Sequence, residues 1–298
     1  MNLAHVEPDR AKQAYDAFVD DLRRCRSLGI KLYNFHPGNC ASASSRDEGI
    51  AQLARQLNRA HEDAEAEGVV TLLETMAAGG NVLGSSFEDL KAVIDLVERK
   101  ERVGVCLDTC HVFAAGYDLR SPEAFRATMD KFNDVVGFKY LRALHVNDSK
   151  APFASNRDLH ANIGTGFLGL RAFHNVVNEP RLWGLPMVLE TPIDAKNAQG
   201  KEEQDKRIWA QEIKLLESLV GMDVEGDGFV RLDAELAVKG EEERKKYQEQ
   251  FERKMEKTGK KEAKKSRGTR KRKGGGVDAE ENSSSGLSSS SESSNEDR

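Results

Sequence analysis

The stretch RVGVCLDTCHVFAAGYDLR, residues 102–120, decides the fold. It opens on a short apolar run, Val103–Leu107, reaches a carboxylate at Asp108 and places His111 three residues on. An apolar run this short reads as a buried strand. The pattern recurs along the chain. KLYNF (31–35) is stopped by His36-Pro37-Gly38, Val69–Leu73 ends at Glu74, Lys139–Leu144 at His145, and Leu185–Leu189 at Glu190. The closing residues are separated by 38, 34, 37 and 45 positions. Helical periodicity fills 9–28, 47–66, 86–98, 122–135, 167–178 and 202–220. Strands alternating with helices imply a parallel sheet with right-handed crossovers. A doubly wound sheet and a (β/α)8 barrel both fit. Only the barrel brings every strand's C-terminal end to one mouth, so five reactive closing residues favour it. A barrel needs eight strands and about 250 residues. The reading finds five strands within residues 1–222, which open directly on a helix, so the first three are expected to lie before Met1.

Composition narrows the class. The 298 residues carry 45 Lys+Arg and 50 Asp+Glu, a net charge of −5, with 38 % hydrophobic residues. Residues 241–273 hold 15 basic and 7 acidic side chains, and residues 274–298 hold 6 acidic and 1 basic, which leaves −8 for residues 1–240. An acidic body with a basic appendage is not a simple basic nucleic-acid binder, although bound cations would reverse the local sign. No apolar run reaches the roughly 18 residues of a membrane span, and MNLAHVEPDR lacks the core of a secretory signal. Cys25, Cys40, Cys106 and Cys110 are too few for a disulfide scaffold in a chain of this length, so a reducing compartment is expected.

The strand-end residues are all metal-ligand types. With His111 in DTCH and the D-x-H pair Asp158 and His160, the set is His36, Glu74, Asp108, His111, His145, Asp158, His160 and Glu190. Four imidazoles and four carboxylates suit Zn²⁺, with Mn²⁺ and Fe²⁺ as competitors. Eight ligands exceed the needs of one ion, so two or three are implied. His5, His61 and His174 fall in helical or terminal segments and read as structural.

NFHPG, LLETMAAGGNVLG, RVGVCLDTCHVFAAGYDLR, GFKYLRALHVNDSK, DLHANIGTG and PMVLETP together resemble the endonuclease IV family of apurinic/apyrimidinic endonucleases, in order, from about residue 3 to 218. The resemblance implies a (β/α)8 barrel with a trinuclear zinc cluster. It implies that Glu74 bridges two zincs and is joined by His36 on the first. Asp108, His145 and Glu190 would hold the second, and His111, Asp158 and His160 the third. Glu190 and Glu74 would be the catalytic carboxylates, with Glu190 positioning or deprotonating the attacking water. The implied reaction is cleavage of duplex DNA 5′ to an abasic site, leaving a 3′-hydroxyl and a 5′-deoxyribose phosphate. The intact family is expected to be monomeric. The family's ninth ligand, a His closing its third strand, has no counterpart here, and His5 is no substitute. Weaker zinc binding and impaired incision are therefore expected. The rivals are an inactive truncated product and another metal-dependent barrel enzyme such as a sugar isomerase, against which DTCH and D-x-H argue.

The remaining motifs read as follows. Gly164–Gly169 matches G-x-G-x-x-G, but the preceding SNRDLHANI is no buried strand, so the glycines read as a turn rather than a dinucleotide site. Cys106 and Cys110 read as packing residues, and Trp183 and Trp209 as core. Residues 223–259 form a charged extension, of which 231–259 is at best a frayed helix. KKEAKKSRGTRKRK (260–273) reads as a nuclear-localisation cluster engaging import machinery and as a DNA tether. Nuclear residence is expected, with mitochondria an alternative for the family and no transit peptide visible. Residues 274–298 read as a disordered Ser/acidic tail whose serines suit an acid-directed kinase.

Overall fold

The computed structural model of the chain describes residues 1–77, 79–196 and 199–273. The order is α1 (Pro8–Ser27), β1 (Leu32–Phe35), α2 (Arg46–Asp63), β2 (Val70–Glu74), α3 (Phe87–Leu96), β3 (Val103–Asp108), α4 (Thr109–Ala115), α5 (Pro122–Val135) and β4 (Leu141–His145). It continues with β5 (Asp148–Ser149), β6 (His160–Ala161), α6 (Gly169–Val177), β7 (Met187–Val188), β8 (Asp194–Lys196), β9 (Glu202–Gln204), α7 (Arg207–Ser218) and α8 (Asp227–Lys273).

Five strands form one parallel sheet in the order β1-β2-β3-β4-β7. All of them point the same way, so their C-terminal ends share one rim. Phe35 pairs with Leu73, which sets His36 level with Glu74, and Asp108 pairs with His145. This is the sheet of a (β/α)8 fold, present as five of its strands.

Strand side chains alternate between two faces. One face, with Leu73, Val105, Leu107 and Leu144, packs against the helices in the main core. The other carries a small cluster of Leu72, Cys106 and Ala143, with Leu32 and Val70 against it. The same parity continued two residues on gives Glu74, Asp108 and His145. The site residues thus stand on the inner face, one layer above the inner cluster. Burying helix-facing residues such as Phe125, Met129 and Phe132 of α5 contributes about 1.5–3 kcal/mol each. Serine side chains cap three helices: Ser45 accepts from Glu48 N, Ser86 from Asp89 N and Ser121 from Ala124 N. Each cap adds about 1 kcal/mol.

The structure corrects several expectations. The segment 202–220 is not one helix: β8 and β9 form an antiparallel hairpin and α7 begins only at Arg207. Leu185–Leu189 contributes just Met187–Val188 to the sheet. Residues 109–115, where no helix was expected, form α4, because Asp108 caps it by accepting from His111 N at 2.8 Å. Trp183 is 63 % exposed and is not core. Trp209 is half-buried and donates its indole N–H to Thr191 O. Residues 231–259 are helical throughout as part of α8, and the backbone of 260–273 continues that helix. The four cysteines are buried and free. No helix among the described residues is long and apolar enough to cross a membrane. The Ser/acidic tail expected at 274–298 lies outside the described residues.

Candidate metal centre

Seven of the eight nominated side chains fall into two tight groups. His111, Asp158 and His160 each offer a ligand atom within 4.8 Å of one another, as do Glu74, Asp108, His145 and Glu190. The two groups interlock. His145 Nδ1 lies 3.2 Å from Glu74 Oε1 and 2.9 Å from Glu190 Oε2. His111 Nδ1 lies 3.3 Å from Glu74 Oε1, and His160 Nε2 lies 3.8 Å from Asp108 Oδ2. β2 and β4 are separated by β3, which sets their backbones roughly 9–10 Å apart. The side chains of Glu74 and His145, projecting from the same inner face, close that gap. The eighth residue, His36, stands apart: its Nε2 approaches Glu74 Oε2 at 3.4 Å, and its side chain is 55 % exposed. His5 is elsewhere, its Nδ1 accepting from Glu7 N.

The tautomers follow from the partners. His111 Nδ1 lies 2.8 Å from Thr75 O, and His160 Nδ1 lies 3.2 Å from Glu190 O. A carbonyl only accepts, so each Nδ1 donates to it, and each Nε2 is left to take a second proton or a cation. These Nε2 atoms approach Asp158 Oδ1 at 3.0 and 3.2 Å. Both are buried, and without a proton on Nε2 neither has a hydrogen-bond partner. Two lone pairs converging on a carboxylate oxygen is repulsive unless protons or a cation lie between them.

The electrostatics agree. Burial alone would lower the His111 imidazole, but the Asp108 charge and contacts with Asp158 and Glu74 outweigh it, and its pKa is pushed up to about 11. His145 and His160 also rise against burial, His145 through hydrogen bonds with Cys106, Glu190 and Glu74, and His160 through Asp158 and the Asp108 charge. Burial favours the neutral form of Glu74, yet hydrogen bonds from His111 and His145 hold its carboxyl well below the usual range. Hydrogen bonds with His111 and His160 do the same for Asp158, and one with His145 does so for Glu190. Asp108, wholly buried, is raised by desolvation. A field that retains protons on three imidazoles would retain a divalent cation in their place.

Supporting residues that sequence reasoning missed complete the site. Asn34 donates to Glu74 Oε2 at 2.6 Å. Asn147 donates to Asp108 Oδ2 at 2.7 Å and accepts from Glu190 N at 2.8 Å, tying β3 to the end of β7. Thr75 Oγ1 accepts from Asp108 N. Inner-face parity, two residues before His36, would have flagged Asn34.

Residues 1–219 match the family model described as xylose isomerase-like TIM barrel. The chain is 45 % identical over 267 residues to apurinic-apyrimidinic endonuclease 1 of Schizosaccharomyces pombe, covering 90 % of this chain and 72 % of that one. It is 48 % identical over 202 residues to the protein of the same name from Saccharomyces cerevisiae, covering 68 % of this chain and 54 % of that one. Endonuclease IV from Thermus thermophilus superposes with a TM-score of 0.59 at 24 % identity, covering 74 % of each chain, a likeness of fold. The chain therefore belongs to the xylose isomerase-like TIM-barrel family, in its endonuclease IV branch.

Proposed function

We propose that this chain is a zinc-dependent DNA-repair endonuclease that hydrolyses the phosphodiester 5′ to an abasic site, leaving a 3′-hydroxyl and a 5′-deoxyribose phosphate. The observation that carries the reading is the convergence of the two buried Nε2 atoms of His111 and His160 on Asp158, beside four ligand atoms from four strand ends. The names of the relatives supply the substrate class.

The donor set fits zinc, which takes imidazole nitrogen and carboxylate oxygen. His111, Asp158 and His160 would hold one ion, and Asp108, His145 and Glu190 a second. Glu74 faces His145 and His111 with Oε1, and His36 and Asn34 with Oε2, a disposition suited to bridging. His36 and Glu74 alone would serve a third ion, fewer than the three or four ligands of a stable site. Bound zinc would bring the pKa of a water molecule toward 7 and neutralise charge on the phosphate. Glu74 and Asp108 are buried, whereas the Glu190 side chain is 42 % exposed. Glu190 is thus the carboxylate of its group that can meet an incoming water. His145 and Asn147 hold it in place, and it orients that water and takes its proton. An abasic nucleotide gives up no base pair when it leaves the stack, which favours its extrusion toward the rim.

The test is incision of a duplex carrying one tetrahydrofuran abasic analogue, with product ends read by mass spectrometry. Incision by residues 1–298 should be weak, given the sparse first site, and should rise when the three N-terminal strands of a relative are prefixed. Glu190→Gln should then abolish cutting while DNA binding persists. A prefixed, zinc-loaded chain that leaves abasic DNA intact, or cuts on its 3′ side, would contradict the reading. Full activity from residues 1–298 alone would contradict the weakened first site.

A further inference from the structure

The loop from Asp148 to Gly166 carries Asp158 and His160, yet its regular structure is one two-residue ladder, Asp148–Ser149 against His160–Ala161. Such a segment pays about 1–2 kcal/mol per residue for backbone order, so something outside it must hold its two site residues. Its base is fixed by the buried Asp148 carboxylate, which accepts from Gly166 N and Leu168 N at 2.9 Å each. Its later half is held by helix α8, which lies beyond the family-matched residues.

The contact is close. A Cβ at Gly240 of α8 would collide with the carbonyl oxygen of Thr165, and one at Gly164 would meet Leu236 Cδ1 at 2.8 Å. Each element thus offers a glycine where the other's backbone or side chain arrives. A glycine inside a helix costs about 0.5–1 kcal/mol relative to alanine, and here the approach of the loop explains it. One turn on, Arg244 Nη1 donates to the same Thr165 O at 2.7 Å. Before Asp158 the helix is met again: Lys150 Nζ lies 3.3 Å from Glu243 Oε1, and Arg157 Nη1 donates to Gln250 Oε1 at 3.2 Å. The guanidinium of Arg157, adjacent in sequence to Asp158, also sits over the Tyr247 ring at 5.3 Å. α8 therefore grips the loop on both sides of Asp158 and His160.

We infer that the first half of α8 is a clamp that positions Asp158 and His160 against His111, so that the affinity of this group for its ion depends on a helix outside the barrel. The inference rests on the metal reading above and adds to it a positioning element made by the chain's C-terminal part. Arg244 and Gly240 are positioning residues: neither touches the site.

The test uses the full chain and Zn²⁺, with competing chelator to separate the affinities and hydrogen exchange to follow residues 156–166. In Gly240→Leu the loop should lose exchange protection, and the affinity for one of the tightly held ions should fall about tenfold or more, as for loss of a group that orients a ligand. The other tight ion should be little affected. Arg244→Ala should shift both readouts the same way by less, and Arg244→Lys should restore part of the loss; this pair decides the matter if Gly240→Leu fails to fold. Val238→Ala, at a position of α8 that is 71 % exposed, should change neither. Unchanged protection and affinity in Gly240→Leu and Arg244→Ala would overturn the clamp, as would a loosened loop with unchanged metal affinities. Failure of the metal reading shows itself separately, as a wild-type chain that retains no zinc; an unchanged loop in the exchange data would then overturn the clamp by itself.

Discussion

His61 is the buried histidine that the site does not use, and its surroundings set a pH dependence. Its Nε2 lies 3.0 Å from Thr71 Oγ1, whose own proton goes to Arg102 O, so Nε2 carries the hydrogen and Nδ1 is bare and buried. Burial and the Arg102 charge lower its pKa to about 4. Unfolded, the ring titrates near 6.5. Between these values the unfolded chain binds more protons. The neutral ring's contribution is therefore complete above about pH 6.5 and is lost as pH falls through 4, on the order of 3 kcal/mol in all. Urea titrations of metal-free protein from pH 7 to 4 should show a steeper loss of stability for the wild type than for His61→Asn. Parallel curves would contradict this. At this scale five of the ligand candidates were legible because each closes an apolar run, where a reactive side chain has few structural roles, and His111, Asp158 and His160 because DTCH and D-x-H set ligand types at short spacing beside them. Asn147 and Thr75 were not, and Asn34 only through its inner-face parity with His36, because a neutral residue that orients a ligand carries no reactive signature of its own. Its partner is 40, 39 or 33 positions away and meets it only after folding.

Elements were legible where burial repeats with one period. α5 falls at Pro122–Val135, the range its periodicity predicts, since Phe125, Met129 and Phe132 mark one face and Ser121 marks the start. β7 was over-read, because apolarity over 185–189 reflects packing beside α7 as much as sheet pairing: Leu185 and Leu189 pack on the core but outside the ladder. α8 was under-read because its mostly polar surface hides the few contacts that fix it, at Leu236, Gly240 and Arg244. Among the described residues, the outer strands β1 and β7 each leave an unpaired sheet edge. Beside β7 lies an apolar groove of about 510 Å³, lined by Leu185, Met187, Ile213 and Val220 among others and flanked by the exposed Trp183. Unpaired edges next to exposed apolar surface favour intermolecular pairing. Sedimentation velocity of residues 1–298 should therefore show concentration-dependent association. Val188→Lys, which sets a charge on the exposed part of β7, should reduce it. A monomer at every concentration would contradict this expectation.

For the whole molecule, charge and metal have to be considered together. Residues 1–240 carry a net −8, and four of their carboxylates stand together at the rim, an environment that repels a phosphodiester. Bound cations would reverse that sign locally. Residues 253–273 hold 12 Lys/Arg against 2 Asp/Glu, a charge that would attract DNA independently of the metal rim. Deleting 253–298 should flatten the dependence of log affinity on log salt, since each duplex phosphate contact contributes a slope of about −0.9. An unchanged slope would assign phosphate binding to the metal rim alone. We propose that the same basic run directs nuclear import: a reporter fused to residues 255–275 should concentrate in nuclei, and a cytosolic reporter would contradict that role.

The central claim is that residues at and beside the strand ends of one parallel sheet form a shared zinc centre, and a zinc titration of the metal-free full chain against a chelator of known affinity tests it most directly. The two groups, His111/Asp158/His160 and Glu74/Asp108/His145/Glu190, predict two tightly held ions per chain and a third, at His36 and Glu74, held far more weakly. A chain that retains no zinc against the chelator would contradict the claim.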